Sequence, residues 1–209
     1  LDAVFMLLAA CVSLLDGVDT GFYPLLQSFL LTSILGAFPL IFVSKGGSVN
    51  SQEGYAVVTG AWLMSCLAGM LPYVLWGGEF SFVNAWFESV SGFSTTGSTI
   101  LGDVEALPKG MLFWRASTHW LGGMGVVMFV LVVLPSMGST KMRLSSVELS
   151  SMAKDNFKYR TQKILQILLV VYVGLTISET VLRRIAGMSW FDAVCNSFST
   201  IATGGVCTR

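Results

Sequence analysis

One segment of this sequence occurs twice, and the two copies align without a gap. The first spans residues 81–97, SFVNAWFESVSGFSTTG, and the second spans residues 189–205, SWFDAVCNSFSTIATGG. Six positions are identical, among them Ser81 and Ser189 at the start and Gly97 and Gly205 at the end. The repetition predicts two copies of one small structural unit.

Each copy predicts a short helix followed by non-helical backbone. Ser81 and Ser189 are typical helix N-caps, and a polar residue, Asn84 or Asp192, follows three positions later. The helix that follows is too short to cross a bilayer, which takes roughly 20 residues. Non-helical backbone at membrane depth is tolerated only where it is buried in protein or lines a watery cavity. The pattern therefore predicts a re-entrant pore helix with a selectivity-filter strand behind it.

The composition indicates that the surroundings are a membrane. Hydrophobic residues make up 54% of the chain and charged residues only 11%, against about 25% charged in an ordinary soluble domain. The formal net charge is zero, so nothing points to nucleic acid as a partner. The cysteines lack metal-ligand spacing, and we expect them to be small buried hydrophobic residues: Cys11, Cys66, Cys195 and Cys207.

Uncharged stretches predict an all-α integral membrane protein of repeated helix–re-entrant pore loop–helix units, similar to a K+ channel. A short apolar run at 3–15 indicates a membrane helix cut short at its start, and longer spans are predicted at 20–43, 55–76, 110–135 and 164–182. The chain then divides into four parts: an N-terminal transmembrane helix pair and cytoplasmic link (1–54), a first repeat (55–137), a basic cytoplasmic loop (138–163), and the start of a second repeat ending at its filter loop (164–209).

Basic residues predict the orientation of these helices. Residues 138–163 contain six Lys or Arg against two acidic residues, which favours a cytoplasmic position for this loop. The re-entrant loops then enter from the outer face, although Arg183 and Arg184 fall on the wrong side of this scheme.

The chemistry expected of such a loop is cation selection. A pore helix entering from outside directs its negative C-terminal end to the membrane centre, where it favours a cation. The strand behind it can replace the water of a cation with carbonyl oxygens, and rings of carbonyls select potassium-like ions. Gly97 and Gly205 suit backbone angles that a residue with a Cβ resists.

Three segments carry a resemblance to a known family: SGFSTTGSTIL, LPKGMLFWRASTHWLGGMGVVMFVLVVLP and AGMSWFDAVCNSFSTIATGGVCTR. In this order and spacing they resemble the Trk/Ktr/HKT superfamily of potassium transporters. Within it the chain is most similar to the bacterial TrkH/TrkG membrane subunits, which also share the extra N-terminal helix pair.

The resemblance implies a pore-forming subunit of a Trk-type uptake system, built from four repeats that each donate one filter strand. The residues that would line the ion path with backbone carbonyls are Thr95, Thr96, Gly97, Thr203, Gly204 and Gly205, with K+ itself at Thr95, Thr96, Thr203 and Gly204. No cofactor is implied, since K+ is the transported ion. The implied location is the bacterial inner membrane, and the sequence leaves open whether transport is a symport.

The resemblance also implies partners. These are the lipid bilayer, a second copy of the pore subunit, and a cytosolic nucleotide-binding ring (TrkA-like) for which the loop at 138–163 is a candidate dock. Only two of the four repeats are present, so we expect this chain to be part of a longer one.

Three features allow more than one interpretation. Arg115 could pair with Glu88 and brace the filter, or it could extend to the lipid headgroups. His119, the only histidine, could be a proton-coupling or gating group, or a packed structural residue. The glycines of LGGMG (122–125) favour close helix packing or a bend over phosphate binding.

Two other functions compete with a potassium pore. A secondary carrier with broken helices would bind a small solute at the midplane, but its repeats would be inverted, whereas both loops here are predicted to enter from the same face. An enzyme would need a nucleophile–base pair or metal ligands at depth, and the sequence offers neither. We therefore predict that the chain is not an enzyme.

Overall fold

In the part of the chain that the structure describes, every regular element is a helix. The computed structural model describes residues 1–17, 19–42, 51–137 and 151–208. Within these ranges the helices are α1 (Asp2–Leu15), α2 (Phe22–Phe42), α3 (Ser51–Gly69), α4 (Leu71–Trp76), α5 (Phe82–Phe93), α6 (Lys109–Met137), α7 (Ser151–Ile185) and α8 (Trp190–Ile201). This confirms the predicted all-α class.

Three described segments are long and apolar enough to cross a membrane: Phe22–Pro39, Tyr55–Trp76 and Lys163–Ile185. Their apolar side chains point largely outward, and only 6% of the last segment is buried within the chain. Ile34 and Val170, for example, are about two-thirds exposed. Water would penalise so large an apolar surface, whereas lipid does not, so these faces are explained by a bilayer.

Helices α3 and α4 together form one predicted span, interrupted only at Met70. Pro72 lies in the first turn of α4, where its missing N–H costs nothing because that donor has no partner inside the helix. Gly77 and Gly78 adopt φ values of +76° and +62°, which end the helix. The predicted end of this span at residue 76 is therefore confirmed.

Helices α5 and α8 are the two short helices of the repeated segment. Each has 12 residues, about 18 Å at 1.5 Å per residue, which is well below the roughly 30 Å of a hydrocarbon core. Ser81 Oγ accepts from Asn84 N at 3.3 Å, and Ser189 Oγ accepts from Asp192 N at 3.1 Å. Both predicted N-caps are confirmed.

Helix α7 begins much earlier than predicted. It starts at Ser151 rather than near residue 164, so the second half of the predicted basic loop is helical. Lys, Arg, Gln and Met are good helix formers, and a charge-rich sequence can therefore extend a membrane helix beyond its apolar part. Residues 43–50 and 138–150, where the cytoplasmic link and the rest of the basic loop are predicted, lie outside the described residues.

The main core lies where α1, α2, α4 and α6 meet. Its fully buried large side chains are Met6, Leu25, Tyr73, Met111 and Trp114. Trp114 Nε1 donates to the carbonyl oxygen of Gly69 at 3.1 Å, which ties α6 to the end of α3. The N-terminal helix pair is thus packed directly on α6, the helix that also contacts both pore helices.

The prediction for the cysteines is half wrong. Cys66 and Cys195 are buried, but Cys11 and Cys207 are exposed. A thiol behaves as a small apolar group, so a membrane helix or a strand beside it can present cysteine outward without penalty. An apolar sequence context therefore did not require burial.

Candidate ion-selectivity filter

Both short helices end in the same hydrogen-bonded turn. The amide of Thr95 donates to Gly92 O at 3.0 Å, and the amide of Thr203 donates to Thr200 O at 2.9 Å. The next amides donate back in the same way, Thr96 to Ser91 O and Gly204 to Ser199 O, at 3.0 and 2.8 Å. The sequence repeat is therefore a structural repeat, in which equivalent atoms make equivalent bonds.

The backbone after each turn contains two left-handed residues. Thr95 and Gly97 have φ of +56° and +75°, and Thr203 and Gly205 have +59° and +70°. The glycines were expected from the sequence, but the threonines were not. A β-branched residue with positive φ is a genuine outlier, and such strain persists only where the surrounding structure imposes it. Its recurrence in both copies marks these strands as functional candidates.

A serine of each pore helix holds the strand that follows it. Ser91 Oγ donates to Ser98 O at 2.6 Å, and Ser199 Oγ accepts from Val206 N at the same distance. Both serines are buried. The strand in each copy is thus fixed against its own helix by one short side-chain bond, as well as by the turn.

The two strands lie side by side. A Cβ added at Gly97 would overlap the carbonyl oxygen of Gly204 and lie 3.0 Å from the carbonyl carbon. Glycine is therefore required at position 97 for two reasons: the backbone has a positive φ there, and the second strand leaves no room for a side chain. This contact joins two of the six predicted ion-lining residues across the strands.

Gly205 differs from Gly97 in its surroundings. It also has a positive φ, but a Cβ there would meet no described atom within 4 Å. The side of the second strand that corresponds to the contact face of the first strand is therefore open within the described part of the chain.

A buried ion pair lies behind the first strand. Arg115 Nε and Glu88 Oε1 are 2.6 Å apart, and both side chains are at most 3% exposed. Glu88 also accepts from the Thr99 hydroxyl at 3.1 Å and from the Ile100 amide at 3.3 Å. The structure thus contradicts the alternative that Arg115 extends to the headgroups. The carboxylate of Glu88 connects α6 to the segment just beyond Gly97.

The second strand is held differently. Asn196 stands at the position equivalent to Glu88, so no carboxylate is available there. Instead, the Thr208 hydroxyl donates to Asp192 Oδ1 at 2.8 Å, near the start of α8. The sequence suggested two identical devices, but the structure shows one common turn with two different anchors.

Helix α6 lies against the C-terminal ends of both pore helices, and its glycines make this possible. A Cβ at Gly122 would overlap the carbonyl of Phe93 at the end of α5. A Cβ at Gly123 would lie 3.0 Å from Ala202 Cβ beyond α8 and 2.7 Å from Tyr172 Oη of α7. The expectation of close helix packing at LGGMG is confirmed.

His119 is buried beside the second strand. Only 2% of the residue is exposed, its Nδ1 lies 3.0 Å from Arg115 O, and its ring packs against Gly204. One turn of α6 thus carries Arg115 toward the first strand and His119 toward the second.

Comparison with known proteins agrees with this geometry. The model of the family TrkH, described as Cation transport protein, matches residues 24–209. The chain belongs to the TrkH family. This confirms the resemblance drawn from the filter segments and the glycine-rich helix.

Two curated relatives of this TrkH-family chain illustrate the similarity. The Trk system potassium uptake protein TrkH of Salmonella typhimurium is 34% identical over 210 residues, covering 98% of this chain and 43% of the relative. The Trk system potassium uptake protein TrkG of Escherichia coli is 31% identical over 187 residues, covering 87% of this chain and 38% of the relative. The chain therefore spans about two fifths of the length of these relatives.

A solved structure shares the fold. The crystal structure of the potassium transporter TrkH from Vibrio parahaemolyticus matches with a TM-score of 0.83 and 32% identity, over 99% of this chain and 41% of that one. Together with the apolar helices, this establishes a multi-pass TrkH-family protein of the bacterial inner membrane.

Proposed function

We propose that this chain supplies two filter strands to a Trk-type potassium uptake protein, and that K+ crosses the membrane along their main-chain carbonyls. The relatives carry the names of potassium uptake proteins, and this activity is transferred here as a proposal because the chain matches only part of their length. The observation that carries it is the direct contact between two non-helical strands at Gly97 and Gly204.

The backbone angles support carbonyl coordination. In an extended strand successive carbonyls alternate between the two sides. A left-handed residue at every second position, as at 95 and 97 and again at 203 and 205, reverses this alternation and turns successive carbonyls toward one side. We therefore keep the predicted ion-lining set, with K+ at Thr95, Thr96, Thr203 and Gly204, where carbonyls would replace its water.

The contact between the strands supports a ring of more than two filter strands. It joins Gly97 of the first strand to Gly204 of the second, and these are not equivalent positions of the repeat. Such a head-to-tail contact can be repeated, and it closes into a ring if the rotation allows. Gly205 is the equivalent of Gly97 and has an open side, where a third strand fits. The four repeats implied by the family agree with this geometry.

The partners of the complete protein remain part of the proposal. We propose a dimer of pore subunits and a cytosolic nucleotide-binding ring docked on the basic segment. Part of that segment lies outside the described residues, and the rest forms the start of α7. Neutral substitution of Lys154, Lys158, Arg160 and Lys163 is expected to weaken binding of the ring. Unchanged binding would remove this helix from the docking surface.

The test of the proposed function compares two glycine substitutions in the complete protein. Gly97→Ala places a Cβ on the Gly204 carbonyl at a left-handed position, whereas Gly174→Ala in α7 meets nothing within 4 Å. We expect the wild type and Gly174→Ala to restore K+ uptake to cells that lack their own uptake systems, and Gly97→Ala to lose it at equal membrane levels. A wild type that moves a small solute independently of K+ would support the carrier instead.

A further inference from the structure

His119 is held in a fixed orientation by its own helix. Its Nδ1 lies 3.0 Å from the carbonyl oxygen of Arg115, and because a carbonyl only accepts, Nδ1 carries the hydrogen. The neutral ring therefore has its lone pair on Nε2. Among the described residues, Nε2 has no hydrogen-bond partner although it is buried. Burying a polar ring whose acceptor nitrogen makes no hydrogen bond costs free energy. Packing alone therefore does not explain why a histidine stands at this position.

The ring of His119 abuts the second filter strand at Gly204. A Cβ at Gly204 would overlap Cδ2 of the ring and lie 2.9 Å from Cγ and 3.0 Å from Nε2. Gly204 does not have a positive φ, so its backbone conformation would accept a side chain. The equivalent residue of the first strand, Thr96, has one. Glycine is therefore needed at 204 because of the imidazole, and not because of the repeat.

Gly204 is thus enclosed from two sides. The imidazole of His119 lies against it on one side, and Gly97 of the first strand lies against its carbonyl oxygen on the other. Arg115 links the two arrangements, since its side chain pairs with Glu88 behind the first strand and its carbonyl holds His119. One turn of α6 therefore sets the position of both strands.

We propose that His119 is a positioning residue for ion selection, whose ring fixes how closely the carbonyl of Gly204 approaches the first strand. This rests on the proposed function, because the carbonyl of Gly204 is one of those assigned to K+. Discrimination between K+ and the smaller Na+ depends on the size of the cavity that the carbonyls form and on how many carbonyls reach the ion with what field strength. Loosening one strand is therefore expected to alter selectivity more than it alters protein folding.

The test separates the hydrogen bond of His119 from its contact with Gly204. His119→Asn keeps an amide donor within reach of the Arg115 carbonyl but lacks the part of the ring that touches Gly204. In the complete protein we expect wild-type levels in the membrane, with K+ uptake that Na+ inhibits roughly tenfold more strongly than in the wild type. Met111→Ala is the control, because Met111 is a fully buried residue of the same helix, about two turns before His119, and packs against Gly21.

A pair of variants tests the contact itself. Gly204→Ala alone is expected to abolish K+ uptake, because its Cβ overlaps the imidazole. His119→Ala combined with Gly204→Ala is expected to recover uptake at least about tenfold over Gly204→Ala, since neighbouring residues that share one space do not act additively. His119→Asn with wild-type selectivity, or a double variant no better than Gly204→Ala, would overturn the positioning role while leaving the proposed function intact. A wild type without K+ uptake would overturn the proposed function, and the positioning role with it.

Discussion

The buried pair of Glu88 and Arg115 gives the most quantitative prediction. Replacing Arg115 with Gln removes the positive charge and leaves the Glu88 carboxylate buried, although the Thr99 hydroxyl and the Ile100 amide still donate to it. Breaking a buried ion pair from one side typically costs about 3–5 kcal/mol. Because those two donors remain, we take the lower value of about 3 kcal/mol, which shifts the equilibrium of the braced strand by roughly two orders of magnitude.

This loss of stability affects the first strand, because the Glu88 carboxylate accepts hydrogen bonds from Thr99 and Ile100, just beyond Gly97. We therefore expect Arg115→Gln to reach the membrane and to transport K+ with at least about tenfold weaker discrimination against Na+. Combining it with Glu88→Gln removes both charges, so part of the selectivity should return. The assay is K+ uptake by the complete protein across a series of Na+ concentrations.

The matched control is a salt bridge of the same kind at the surface. Lys109 and Asp16 are 2.5 Å apart, but their side chains are 51% and 40% exposed. Such a pair contributes at most about 1 kcal/mol, so Lys109→Gln should keep wild-type selectivity. The bracing role is refuted if Arg115→Gln discriminates against Na+ as well as the wild type does, or if adding Glu88→Gln makes the defect worse.

Three further substitutions probe the filter strands and their support. Gly205→Ala should lower K+ uptake as Gly97→Ala does, since it strains the backbone by about 1–2 kcal/mol and, in the complete protein, places a Cβ on the open side where the third strand is proposed to lie; uptake rates at equal protein levels compare them. Ser199→Ala leaves the Val206 amide without its acceptor, which costs about 1–3 kcal/mol, so Na+ should inhibit K+ uptake more strongly. Gly123→Ala forces α6 away from its neighbours, and the unfolding temperature in detergent should fall by several degrees, in proportion to a cost of about 1–3 kcal/mol.

The helix caps and the glycine positions of this fold could be predicted from the sequence because they depend on residues close together in the chain. Ser81 and Ser189 cap their helices as expected, and Gly97 and Gly205 adopt the left-handed angles for which glycine is suited. Their spacing within the repeat was sufficient to place a helix and a non-helical strand. No contact between distant parts of the chain was needed for these predictions.

What the sequence did not predict depends on tertiary contacts. Thr95 and Thr203 adopt angles that their own β-branched side chains disfavour, and the turn bonds to the pore helices hold them there. The contact of Gly97 with Gly204 joins residues in separate repeats, and nothing local to either one indicates it. The pairing of Arg115 with Glu88 remained one of two options, because residue types alone do not fix which face of α5 meets α6.

The position of α6 between the two pore helices has a consequence for protein engineering. Gly122 allows close contact with the end of α5, and Gly123 allows close contact with the residue after α8. Helix α6 therefore packs against both consecutive repeats. A chimera that exchanges only the first repeat with a homologue would contain an α6 whose surface fits the second repeat of the homologue and not that of this chain. A domain swap should therefore exchange the segment from α5 through the second filter strand as one piece, so that α6 stays with the ends of both pore helices that it contacts.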